Sequence, residues 1–100
     1  MLKIYDKAQW HIDAGESVEL CVNRIKIVFE FLNKKGMLTS DGIEMLDIGI
    51  DSSVSLNERM VSEQGKIFLE QFYDDILQLS LEDVKSGLEE RYMMFYNIKS

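Results

Sequence analysis

The first half of the chain carries one long helical pattern. Its apolar residues recur at steps of three and four, which keeps side chains on one helical face; they are Val18, Cys21, Ile25, Val28 and Leu32. Because Ser17 is a suitable N-cap and Gly36 a suitable stop, the pattern predicts a helix over 17–35. Alternation with period two over 25–31 leaves a strand as the alternative, but both caps favour the helix.

A shorter pattern follows. Asp41 with Glu44 three residues later is a capping-box-like start and predicts a helix near 40–48. Apolar residues alternate with period two over 46–50, so a short strand remains an alternative there. After a loop rich in Gly, Asp and Ser, we expect a single helical turn near 55–60.

The second half predicts two longer helices. Ser62 can cap the first, which should run to about Leu79, and Ser80 can cap the second, which should reach about Tyr96. The inward positions of the two helices are Phe68, Phe72, Ile76 and Leu79, then Leu81, Val84, Leu88, Tyr92 and Phe95. Both sets step by three and four, which is the spacing of a buried helical face.

The four helices predict an all-α fold. A chain of 100 residues usually forms a single hydrophobic core, so we expect one helical domain over 1–100. The architecture would be a compact four-helix bundle or an orthogonal helical array, with an extended N-terminal segment over 1–5. The alternative is an α+β fold in which a small two-stranded sheet pairs 2–5 with 46–50.

Composition limits the partners. Eighteen acidic against eleven basic residues give a net charge of −7, which opposes binding to nucleic acid or to anionic membranes. The apolar runs are far shorter than the roughly 20 residues of a membrane span, and the first residues lack the apolar stretch of a signal peptide. A single cysteine, Cys21, fits a reducing compartment. We therefore expect a cytoplasmic protein.

Few residues suggest catalysis. His11, beside Trp10, has the chemistry of a general base or metal ligand, but the simpler interpretation is that His11 caps a turn or pairs with an acid while Trp10 anchors the segment. Cys21 falls on the apolar stripe and is expected to be a buried thiol. One His and one Cys cannot build the usual zinc sites, and no nucleophile elbow or phosphate-binding glycine loop is present.

A calcium loop over 47–58 is also disfavoured. Gly49 offers no side-chain ligand at the third position, and Ser52 stands where the sharp turn needs glycine. We therefore expect no enzyme activity, no cofactor and no metal site.

Acidic residues concentrate in the second half. Residues 1–50 carry a net charge of −2 and residues 51–100 a net charge of −5. Such an excess attracts a basic partner and speeds encounter with it. The candidate partner-binding residues are Glu70, Tyr73, Asp74, Asp75, Glu89, Glu90 and Tyr96.

The densest apolar run lies at 92–96 near the C-terminus. If Tyr92 and Phe95 face the core, then Met93, Met94 and Tyr96 must face elsewhere. Methionine and aromatic residues are enriched in interface cores, so these three could form a homodimer contact. Packing against the N-terminal segment is the alternative.

Two passages resemble a family of small uncharacterised bacterial proteins. The first is Tyr5-Asp6-Lys7-Ala8-Gln9-Trp10-His11, and the second is Met60-Val61-Ser62-Glu63-Gln64-Gly65-Lys66 ahead of Phe68 and Phe72-Tyr73. Between them, a helix ends in Gly36-Met37-Leu38-Thr39. The sequence departs from the family pattern at Gln64 and lacks a Gly/Pro-containing segment after the Trp-His pair. Some members resemble immunity proteins of polymorphic toxins, and the resemblance carries over no catalytic residues.

These observations lead to a functional expectation. We expect a small acidic binding protein, of the immunity type, that neutralises a cognate toxin such as a basic nuclease by covering its active cleft. The alternative is a homodimeric structural or regulatory module without catalytic activity.

Overall fold

A computed structural model describes the backbone of residues 2–99 and the side chains of residues 2–97. The elements in chain order are β1 (Ile4–Lys7), α1 (Ala8–Asp13), α2 (Val18–Lys34), α3 (Ser40–Ile48), β2 (Ser55–Asn57), α4 (Glu63–Leu77) and α5 (Leu81–Lys99). The fold is dominated by helices, as predicted, and the described residues also form the small two-stranded antiparallel sheet of the α+β alternative.

Helix α2 forms as its capping residues predict. The Ser17 hydroxyl accepts a hydrogen bond from the backbone N–H of Leu20 at 3.1 Å, and Gly36 adopts φ +71° just beyond the helix end. The predicted apolar stripe is buried, apart from Val18 at its start, which is half exposed, as is Leu20. α2 packs against α1, α3 and α5 and occupies the centre of the fold.

The sheet pairs β1 with β2 rather than with 46–50. Asp6 lies opposite Leu56 and Lys7 opposite Ser55, with an irregularity between Ile4 and Asp6. The prediction of a helical turn over 55–60 is therefore wrong, because Leu56 is fully buried as a strand residue. The 46–48 segment instead completes α3.

Helix α1 was not predicted. It is only six residues long, has no side-chain N-cap and buries Ala8 alone. The sequence therefore contains no helical spacing of apolar residues that would predict it. Trp10 is 50% exposed, which corrects the expectation that it anchors the N-terminal segment to the bundle.

The segments that lead into α3 and α4 pair through their backbones. Thr39 caps α3 and Ser62 caps α4 through their side chains, so Thr39 takes the role expected of Asp41. The N–H of Thr39 donates to the carbonyl of Met60 at 2.9 Å, and the N–H of Ser62 donates to the carbonyl of Met37 at 2.8 Å. These bonds hold the two entry segments side by side.

Helices α4 and α5 complete the core around aromatic rings. Neighbouring ring centroids lie 5.5 to 6.5 Å apart, the range of favourable aromatic pairs; the cluster comprises Phe31, Phe68, Phe72, Tyr92 and Phe95. The guanidinium of Arg24 donates to the carbonyls of Leu77 and Leu79 at 3.1 and 2.8 Å, which satisfies the end of α4. α4 ends two residues before the predicted Leu79, and α5 continues past Tyr96 to Lys99.

The close approach of the two backbone segments leaves no room for a side chain at Gly42, which can be tested. A Cβ atom at this position would collide with the carbonyl oxygen of Met60, so we expect Gly42→Ala to lower the free energy of unfolding by about 1–3 kcal/mol. Ser40→Ala, at an exposed position of the same helix, should change it by less than about 0.5 kcal/mol. Urea unfolding measures both, and equal stability of the two variants would contradict this close approach.

Candidate functional site

The predicted partner-binding residues do not form one surface. On α4, Glu70 makes an ion pair with Lys3, whose Nζ lies 2.7 Å from its Oε1 atom. Asp75 faces α5 instead, with its Oδ2 atom 3.9 Å from Nε of Arg91. These two carboxylates therefore lie along different seams, one beside β1 and the other between α4 and α5.

A third seam holds Glu89. Its carboxylate lies 3.1 Å from the ammonium of Lys35 on the boundary between α2 and α5. Asp74 and Glu90 are exposed and make no ion pair within the described part of the chain. Among the described residues, these are the two of the five predicted carboxylates that pair with no cation.

The two predicted tyrosines have opposite environments. Tyr73 is only 4% exposed, and its hydroxyl donates to Oδ2 of Asp6 at 2.5 Å. This position corrects the expectation that Tyr73 contacts a partner, because its ring and hydroxyl are both used inside the fold. Tyr96 is 59% exposed and packs on the ring of Tyr92 at 6.2 Å.

A buried polar cluster surrounds Asp6. Besides the Tyr73 hydroxyl, its carboxylate accepts the backbone N–H of Lys7 at 2.9 Å and lies 2.7 Å from Nε2 of His11. Nδ1 of His11 is 3.7 Å from the carboxylate of Glu16. The cluster ties β1, α1 and α4 together through one fully buried carboxylate, and pairing with an acid is one of the two simple roles expected for His11.

The Tyr73 phenol and the Cys21 thiol, beside this cluster, both have raised pKa values. Burial, followed by the charge of Asp6, raises the pKa of Tyr73 well above its ordinary value. Burial, followed by the charge of Glu16, raises the pKa of Cys21. Near neutral pH, a phenol and a thiol in these states donate hydrogen bonds and are poor nucleophiles. The thiol is buried, as its place on the apolar stripe predicts.

Sequence reasoning missed the acidic face of α3. Its carboxylates occur at every third position, point outward and make no ion pair among the described residues; they are Asp41, Glu44 and Asp47. Asp41 lies in the first helical turn, where an acid is favourable. Asp47 lies in the last turn, where no basic residue offsets it. Next to it, Ile48 is 74% exposed.

A groove of about 240 Å³ lies between α2 and α5. Ile27 and Phe31 form its apolar floor. Its rims carry charges of both signs, which are Glu30 and Lys34 on α2 with Lys85 and Glu89 on α5. The groove is smaller than the usual 300–1,000 Å³ of small-molecule sites.

No protein-family model, curated protein or solved structure matches this chain significantly. In residues 2–99, no helix combines the length and the apolar character needed to cross a membrane. Among the same residues, no group of three or more His, Cys, Asp or Glu side chains is arranged to hold a metal ion. Within 47–58, the structure has the end of α3 and the strand β2 (Ser55–Asn57).

The Asp6 cluster predicts a loss of stability at alkaline pH. The unfolded Tyr73 phenol ionises from about pH 10, whereas its raised pKa keeps the proton in the folded state. The folded protein then binds more protons, so the free energy of unfolding falls as pH rises above about 10.

Tyr73→Phe tests this link. Below about pH 9, the variant should be about 1–3 kcal/mol less stable than the wild type, because buried Asp6 loses a donor. The difference should shrink as the pH rises above about 10, as measured by urea unfolding at each pH. A difference that stays constant across this range would contradict the assigned hydrogen bond.

Proposed function

We propose that this protein is an acidic binding protein that neutralises a basic partner protein by covering its functional site, in the manner of an immunity protein. No catalytic step is assigned to the chain itself. Because such a partner must be intercepted where it acts, we place the complex in the cytoplasm.

The main support for the proposal is the outward face of α3, with its unpaired carboxylates. Helix stability explains an acid at Asp41, in the first turn. It does not explain an acid at Asp47, which lies at the negative end of the helix dipole. Neighbouring carboxylates at three-residue spacing repel one another, and Glu44 adds to this repulsion. An exposed isoleucine, Ile48, offers apolar contact area beside the charges. Binding to a basic surface would relieve the repulsion and bury the isoleucine.

The fold leaves further carboxylates available to the same kind of partner. Asp74 and Glu90 are also exposed and pair with no cation of the described residues, so the attraction extends beyond α3. Long-range attraction of this kind raises the rate of encounter more than it raises the strength of the final complex. In a basic nuclease, such carboxylates would occupy the positions that substrate phosphates take.

The resemblance noted in the sequence supports this reading. Two motif residues, Asp6 and His11, meet in the buried cluster, which gives that motif a structural role in fixing the N-terminal segment. Helix α3 is held separately, by the hydrogen bond that the N–H of Thr39 donates to the carbonyl of Met60 at 2.9 Å, so little ordering of its backbone is needed on binding.

The partner can be sought among the products of the reading frames that flank the gene. Each is expressed in a bacterial host with and without this protein, and growth and co-purification are measured. We expect one product to arrest growth, to be basic, and to be both bound and neutralised by this protein. If no flanking product is toxic or bound, the immunity proposal is rejected.

A matched pair of charge reversals then tests the surface. Asp47→Lys and Asp13→Lys change the net charge equally, and both positions are exposed residues near the end of a helix. A lysine there interacts favourably with the helix dipole, by about 0.3–1 kcal/mol, which offsets the exposed hydrogen bond from Gln9 that Asp13 would lose, so neither variant should change stability by more than about 0.5 kcal/mol.

We expect Asp47→Lys to slow association with the captured partner about tenfold at low salt, whereas Asp13→Lys should leave it within about twofold. Stopped-flow kinetics measure both rates. Equal effects of the two variants would show that only net charge matters and would remove α3 from the proposal.

A further inference from the structure

We propose that the groove between α2 and α5 binds a small organic anion, namely a carboxylate carried on an aromatic ring. The ring would lie on the apolar floor, and the carboxylate would lie between the lysines of the two walls, Lys34 on α2 and Lys85 on α5. This inference is independent of the proposed function, because it uses none of the carboxylates of α3 and needs no protein partner.

The charged residues of the groove leave an excess of cations. Glu89 is already offset, since its carboxylate lies 3.1 Å from the ammonium of Lys35. The other charged side chains that line the groove are Lys34, Lys85 and Glu30. None of these three makes an ion pair among the described residues. The groove therefore has a net positive charge within a chain of net charge −7, and this local excess favours an anionic ligand.

Of the two lysines, Lys85 is the one that helix stability does not explain. Lys34 lies in the last turn of α2, where a cation interacts favourably with the helix dipole. Lys85 lies near the N-terminal end of α5, where the dipole favours anions instead. Within the described part of the chain it pairs with neither Glu82 nor Glu89 of its own helix. Its exposed ammonium is therefore available to a ligand.

The floor of the groove suits one aromatic ring. Ile27, which is partly exposed, and Phe31 supply the apolar surface. Towards the end of α2, the ammonium of Lys35 lies over the rings of Tyr92 and Phe31, 4.6 and 5.7 Å from their centroids, and bounds this surface. The volume of about 240 Å³ corresponds to about eight water molecules at about 30 Å³ each. That space accommodates a ring with a short acidic arm.

The sign of the ligand charge is what the groove selects. A cation of the same shape would bring its charge next to Lys34 and Lys85, with Glu30 alone to offset them, and like charges brought together weaken binding. Cinnamate and cinnamylammonium have the same flat carbon frame and opposite charges. They are therefore a matched pair of probes for this groove.

Chemical-shift mapping of the labelled full chain with each probe tests the inference. We expect cinnamate to bind with a dissociation constant of about 1–5 mM, with the largest amide shifts within 27–35 and 85–92. Cinnamylammonium should bind at least about tenfold more weakly.

Three substitutions of exposed lysines locate the site. Lys34→Gln and Lys85→Gln should each raise the dissociation constant of cinnamate about threefold, because each removes one charge of an exposed pair. Lys26→Gln is the matched control, since Lys26 is an exposed lysine of α2 that does not line the groove. It should change the constant by less than about 1.5-fold. The amide spectrum of each variant also shows whether the fold is kept.

The absence of shifts in the groove at about 20 mM cinnamate would overturn the inference. Equal affinity for cinnamylammonium would overturn the selection of an anion. The assignment to this groove fails if the largest shifts lie on other elements, if Lys34→Gln and Lys85→Gln have no effect, or if Lys26→Gln weakens binding as much as they do.

Discussion

The excess of carboxylates over cations is the constraint on which this structure depends. With eighteen acidic and eleven basic residues, not every carboxylate can pair with a cation. The fold determines which carboxylates lie next to a hydrogen-bond donor or a cation. Asp6 receives its partners in the interior. Glu70, Asp75 and Glu89 receive theirs along seams between elements. Within the described part of the chain, those left without a cation include the three exposed carboxylates of α3.

This division separates the parts of the protein that hold the fold from those available to a partner. The Asp6 carboxylate joins β1 and α1 to α4 through side chains that would each be costly to leave unpaired. The ion pairs along the seams lie at the protein surface, where each keeps a partly or half-exposed carboxylate, and such pairs contribute little to stability. Their main effect is to offset three carboxylates on the surface, whereas the three carboxylates of α3 make no ion pair among the described residues.

The longer helices could be predicted because their signals are local. Ser17 and Ser62 cap helices within three residues of themselves, and the apolar spacing of α2 extends over several turns. The short elements could not be predicted in this way. α1 has six residues and no cap, and β2 has three residues whose conformation is set by pairing with β1, some fifty positions earlier.

The candidate site was harder to predict than the fold for the same reason. Lys3 neutralises Glu70 across 67 positions of sequence, and Tyr73 is drawn inward by Asp6 across the same separation. The count of charges in each half of the chain does not show such pairings. The acidic face of α3 was not predicted because the first half of the chain has the smaller net charge, although its three carboxylates make no ion pair among the described residues.

The central claim is that the unpaired carboxylates of α3 form the surface that meets a basic partner. Amide chemical-shift mapping of the labelled protein, titrated with the flanking-gene product it captures, tests this claim most directly. The account predicts that the largest shifts fall on residues 40–48 and weaken with added salt. Shifts centred on the Asp6–His11 cluster, with α3 unaffected, would contradict it.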